Sequence, residues 1–178
     1  ILPQHVPGQG HRAEVALARG ELDLALTLIT PLVDRSDDPE YRATFAEILR
    51  LLATVNAARR DSGRPPVGVY PETKHPTHFR ARGLPLEPPL LAELEDGLEG
   101  APVFIQSFES GNLVALREQC AHPLVQLLEP GTTADLASIA RYAQAIGVHK
   151  STVVAPETGQ STGLAARAHE AGLALHAW

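Results

Sequence analysis

The chain has 178 residues, 44% of them hydrophobic and 20% charged, and a net charge of −6. That length carries a single domain with a sizeable core, and this charge balance, with no run of Lys or Arg, excludes a nucleic-acid footprint. One cysteine, Cys120, excludes an internal disulfide or a thiolate metal site, and no apolar stretch approaches the ~20 residues of a membrane span.

In chain order, Gly10-His11-Arg12-Ala13 is the first segment with a chemical group of interest. ELDLALT, Glu21–Thr27, follows. Read as a strand, it places Glu21 and Asp23 on one face. Read as part of an amphipathic helix running from Glu14, it leaves both acids solvated. Both readings fit the pattern. Asp34–Glu40 reads as a solvated connection.

A helix is expected over Thr44–Arg60. Thr44 and Glu47 fit a capping box, Phe45, Ile48, Leu52 and Val55 recur at helical spacing, and Gly63, Pro65 and Pro66 end it. The apolar run Val67–Tyr70 is a strand, and it passes directly into Pro71-Glu72-Thr73-Lys74. Residues i and i+2 of a strand share a face, so the Glu72 carboxylate and the Lys74 ammonium address one spot. An acid to hold a cation beside an ammonium to hold an anion suits a phosphate ester. Further on come helix Pro89–Leu98, strand Val103–Gln106, helix Asn112–Gln119, strand Leu124–Leu128 and helix Ala134–Ile146, with Gly147 as its C-terminal glycine. Strand Thr152–Ala155, helix Thr162–Ala171 and strand Leu173–His176 complete the order.

Short, continuously apolar strands alternating with helices predict an α/β fold of parallel βα units. An open doubly wound sheet and a (β/α)8 barrel both fit, but no GxGxxG or GxxxxGK[ST] loop is present. Polar residues collect at strand ends, where a barrel carries its functional groups: Glu72 and Lys74, Gln106 to Glu109, Gln126 and Glu129, and His176 with Trp178. The expected fold is therefore a (β/α)8 TIM-type barrel, partial or with missing segments, because the strands are too few for a complete one.

The other candidates carry simpler readings. His75 and His78 lie in a Pro-containing loop, as metal ligands or as ordinary loop residues. His176 faces either the barrel mouth or the core. Glu157 reads as a loop acid, Glu93–Glu99 as a solvated face, and Cys120 as structural. Leu113, Leu116, Leu136 and Ile139 read as helix faces on the sheet.

YPETK, QSFES about thirty residues later, VQLLEP and LALHAW stand in an order that resembles the glycerophosphodiester phosphodiesterases, especially the longer bacterial periplasmic type. The resemblance runs from Thr44 to Trp178, and residues 1–43 are atypical. It implies one glycerophosphodiesterase-like barrel domain over 1–178, in which Glu72, Glu21 and Asp23 bind Ca²⁺ or Mg²⁺ and Lys74 contacts the phosphate. By the same resemblance Gln106 and Trp178 line the substrate pocket, Phe108 either lines it or is plain core, and His11 corresponds to the catalytic histidine of an H-R-G motif. The family's second histidine, in an H-D pair, has no counterpart in PLVDRSDD, where Arg35 stands near its place. The family's terminal TD pair is also missing, and the chain begins at Ile1 without a leader pattern, so a processed chain or a fragment is expected.

The implied activity is metal-dependent hydrolysis of a small-molecule glycerophosphodiester to an alcohol and glycerol 3-phosphate. The alternative is an incomplete or degenerate barrel that binds a phosphorylated polyol without catalysis. An unrelated barrel of the aldolase kind, with Lys74 as a Schiff base, would leave QSFE and the acids unexplained. The family's exported members imply a periplasmic or extracellular location, while the lone thiol fits the cytoplasm equally. An unpaired sheet edge would favour pairing with a second copy into a homo-oligomer.

Overall fold

The computed structural model describes residues 39–98 and 100–178. The chain divides into two compact units, Ile1–Gly68 with Pro88–Pro102, and Val69–Glu87 with Val103–Trp178. His11, Glu21 and Asp23 lie outside the described residues.

In the first unit, helix α1 spans Pro39–Asp61. It begins five residues before the expected Thr44, so the Thr44/Glu47 pair lies inside the helix rather than capping it. Proline suits the first helical position, where its missing N–H has no intrahelical partner. The helix ends as expected, with Arg64 N–H donating to Arg59 O at 2.8 Å and Arg59 Nε to Pro65 O at 2.7 Å. Asn56 then holds the exit strand: its Nδ2 donates to Val67 O and its Oδ1 accepts from Val67 N–H, at 2.9 and 2.7 Å. Leu49, Leu52, Leu90, Leu94 and Leu98 are buried in this unit. Gly68 is required by space, since a Cβ there would lie 2.2 Å from the backbone oxygen of Pro102.

The second unit carries the sheet. After the segment Val69–Lys74 come helix α2 (Pro76–Ala81), the start of helix α3 (Glu87–Gly97), strand β1 (Ile105–Ser107), helix α4 (Ser110–Arg117) and strand β2 (Leu124–Leu128). Helix α5 (Leu136–Ile139), strand β3 (Ala145–Val148), a 3₁₀ turn (Lys150–Thr152), helix α6 (Leu164–Glu170) and strand β4 (Ala174–Ala177) follow. The strands pair in parallel in sequential order, and Val69 and Glu72 add parallel bridges to Val103 and Gln106 on the free side of β1. This is the expected α/β architecture of successive parallel βα units, the partial (β/α)8 barrel.

Two registers define its faces. Ser107, Gln126, Ile146 and Leu175 are partners across the sheet, and this face meets the helices, where Leu113 and Leu116 of α4 are fully buried. The opposite, inner face carries Gln106, Val125, Ala145 and Ala174, then Leu127, Gly147 and His176 one repeat further on. The sheet is strongly curled. Four strand spacings of about 4.8 Å would separate the first and fifth strands of a flat sheet by about 19 Å, yet Tyr70 Oη lies 2.5 Å from His176 Nδ1. Side chains meet in this way across the filled interior of an eight-stranded barrel.

The largest departure from the sequence expectation lies between Ala134 and Ala155, and helix α2, which carries His78, also stands where a loop was expected. The helix expected over Ala134–Ile146 shrinks to the four residues of α5, capped by Asp135, whose side chain accepts from Ser138 N–H. Ala145 and Ile146 belong to β3. The expected strand Thr152–Ala155 is replaced by the 3₁₀ turn and a single antiparallel bridge from Val154 to Ser161. The misleading signal has a physical origin. A short helix, a turn and a strand each bury apolar residues, Ile139, Ala143 and Ile146, and these fall by coincidence at helical intervals. Gly147 is not a helix cap but a strand residue packed so closely that a Cβ would lie 2.5 Å from Leu127 Cδ2.

Candidate functional site

The segment Tyr70–Lys74 is held from behind by its middle residue. Thr73 is buried and three of its groups are bonded. Its N–H donates to Gln106 O at 3.0 Å, its carbonyl accepts from Ser107 Oγ at 3.0 Å, and its hydroxyl donates to Asn112 Oδ1 at 2.6 Å. Asn112 Nδ2 continues to Glu87 Oε1 at 2.5 Å, and Arg80 forms an ion pair with the same oxygen at 2.5 Å. Glu87 Oε2 is buried without a hydrogen-bond partner among the described residues. With Thr73 turned toward α4, alternation turns Glu72 and Lys74 to the side of Tyr70. Both are half-buried.

On the inner face, Tyr70, Phe104 and His176 form one aromatic cluster. Tyr70 stacks on Phe104 with centroids 5.7 Å apart, and Phe104 meets the His176 ring edge-on at 5.3 Å. Burial pushes the Tyr70 phenol up to about 12. Toward the carboxyl ends, Trp178 meets Phe108 edge-to-face at 6.3 Å and His149 at 6.4 Å. Its backbone is pinned on both sides, its N–H to Val148 O at 3.1 Å and its carbonyl to Lys150 N–H at 2.8 Å.

The sequence-predicted residues separate clearly. Gln106 pairs directly with Glu72, and Phe108 and Trp178 meet as an exposed pair of rings, 40% and 49% accessible. Gln126 is not a mouth residue. It is buried on the helix-facing side, accepting from Tyr142 Oη at 2.8 Å and donating to Phe108 O at 2.9 Å. Glu109 is engaged too, accepting from the Thr77 N–H at 3.1 Å and from the Thr77 hydroxyl, which ties QSFES to the first turn of α2. His75 and His78 are both exposed, and no cluster of three or more His, Cys, Asp or Glu able to hold a metal occurs among the described residues. Of the three acids expected to bind a cation, the structure describes Glu72 alone. Sequence reading passed over Tyr70 as a site residue, although it stands two residues before Glu72 and so shares its face.

A separate cleft of about 250 Å³ opens on the helix-facing side beyond β2 and β3, lined by residues including Leu128, Thr132, Val148, Thr152 and Arg167. It shares no residue with the inner face.

No family model matches the chain, and no curated protein matches it. Among solved structures, the chain is similar to a "putative glycerophosphoryl diester phosphodiesterase" from Silicibacter pomeroyi DSS-3, with a TM-score of 0.55 and 22% identity over 75% of this chain. A protein of the same printed name from Agrobacterium tumefaciens str. C58 aligns with a TM-score of 0.42 and 27% identity over 55% of this chain. The alignments cover 44% and 40% of those two chains, so this chain spans less than half the length of either. The first likeness establishes the fold.

Proposed function

We propose that the chain forms part of a metal-dependent phosphodiesterase barrel that hydrolyses glycerophosphodiesters to an alcohol and glycerol 3-phosphate. The observation that carries this reading is the orientation of Glu72 and Lys74. The buried Thr73 fixes both on the inner side of a strand that ends beside Gln106. The printed name of the similar structure from Silicibacter pomeroyi DSS-3 supports the same substrate class.

The chemistry follows from the groups present. The Lys74 ammonium, on a rigid strand, would contact a non-bridging phosphoryl oxygen and stabilise the charge that builds there. Glu72 would hold a divalent cation, Ca²⁺ or Mg²⁺, together with Glu21 and Asp23, and hard oxygen ligands suit either ion. When bound, such an ion supplies Lewis-acid neutralisation of the diester charge. Gln106 would hydrogen-bond the substrate, and the apolar edges of Phe108 and Trp178 would wall the glycerol carbons. His11 would serve in proton transfer. The periplasmic-type subfamily and an exported location are parts of the same proposal.

Lys74→Met tests the assignment of the phosphate contact. The expected result is a fall in kcat/KM of roughly 10²–10³-fold, as for loss of one charge-stabilising donor, with cation affinity measured by calorimetry unchanged. Unaltered kcat/KM would remove Lys74 from the site.

A further inference from the structure

A phosphodiester of an ordinary alcohol leaves as an alkoxide, a poor leaving group unless a proton reaches its oxygen as the P–O bond breaks. The inner face offers a histidine arranged for that transfer. His176 stands on β4 in register with Gly147, on the inner face that Tyr70 and Phe104 share with it. Its Nδ1 is engaged by Tyr70 Oη at 2.5 Å. Its Nε2 has no hydrogen-bond partner among the described residues.

We propose that His176, oriented by Tyr70, is the general acid that protonates the departing alcohol. This inference rests on the phosphodiesterase reading above. In the imidazolium, the Nδ1–H donates to Tyr70 Oη and the Nε2–H points to the reaction space. As the P–O bond to the alcohol breaks, its electron pair stays on the alcohol oxygen and the Nε2 proton moves to that oxygen. The bond from the attacking hydroxyl oxygen to phosphorus forms at the same centre, its proton passing to a separate base, the role proposed above for His11. The ring is left neutral with Nδ1–H still bonded to the phenol, and it regains its Nε2 proton from solvent.

Tyr70 Oη accepts from Nδ1–H both before and after the transfer, so it holds the ring in one orientation throughout. The rings against this imidazole are those of Tyr70 and of Phe104, the residue before β1.

The test compares two glycerol 3-phosphodiesters on the full chain with added Mg²⁺ or Ca²⁺, the choline ester and the p-nitrophenyl ester, whose phenolate leaves without a proton. For His176→Gln, the rate on the choline ester is expected to fall roughly 10²–10³-fold, with the p-nitrophenyl ester within about threefold of the wild type. Tyr70→Phe should lower the choline ester rate by roughly 3–10-fold and move the ¹⁵N shift of His176 Nδ1, a readout that needs no turnover. Equal loss on both esters in a variant with native near-UV circular dichroism, or no loss on either, overturns the proposal and leaves the phosphodiesterase reading intact. A wild-type chain that cleaves neither ester overturns that reading and this proposal with it.

Discussion

At the scale of single residues, the inner face is governed by side chains whose protonation or exposure is set by neighbours. Tyr70 shows the linkage most directly. Its folded pKa is raised from 10.0 to about 12 by burial, so between those values the unfolded chain loses a proton that the folded chain keeps. Stability from this group is therefore fully present below pH 10 and is lost as the pH rises toward 12. Tyr142, shifted upward by burial as well, acts in the same sense. Tyr70→Phe is expected to flatten, though not abolish, the fall of the urea midpoint between pH 9 and 11. An unchanged slope would show that the phenol is not protected. The shared side of Glu72 and Lys74 was legible from i, i+2 spacing alone. Gln126 and Glu109 were not, because position near a strand end does not reveal which face a side chain takes or whether a distant Tyr142 or Thr77 claims it.

At the scale of elements, the groups that fix the site are mostly behind it. Thr73 is the hinge of the arrangement, with its hydroxyl in a buried chain through Asn112 to Glu87. Thr73→Val leaves Asn112 Oδ1 without its donor, and the expected destabilisation is about 1–3 kcal/mol in urea unfolding. The variant should also lose phosphodiester cleavage out of proportion to its folded fraction. Retention of both properties would mean that the network is not what orients Glu72 and Lys74. The second test belongs to the first unit. Gly68→Ala sets a methyl against a backbone oxygen at 2.2 Å, which no side-chain rotation relieves. A loss of about 1–3 kcal/mol is expected, and a neutral result would contradict the close approach of Gly68 and Pro102. Helices and strands were read well where their signals were independent, as in Leu124–Leu128, which the structure matches end to end. They were misread between Ala134 and Ala155. There a four-residue helix and a four-residue strand are shorter than the window that periodicity needs.

At the scale of the whole molecule, the parallel order of βα units was legible because strands buried on both faces are continuously apolar and the connections are helical. The curl of the sheet was contained in the barrel expectation, but the side chains that meet across it, Tyr70 and His176, were not foreseen, because alternation gives a face and not a partner. The division of the chain into two units was equally invisible, since no composition shift marks Gly68 or Pro102. The first part of the chain bears on the same question, because Glu21, Asp23 and His11 must join Glu72 and Lys74 for the proposed chemistry.

The most direct measurement is release of glycerol 3-phosphate from glycerophosphocholine by the purified chain, with Mg²⁺ or Ca²⁺, with EDTA, and beside Glu72→Ala. The account predicts release that needs the cation and disappears in the variant. No release from a folded chain, or release indifferent to EDTA and to Glu72, would contradict it.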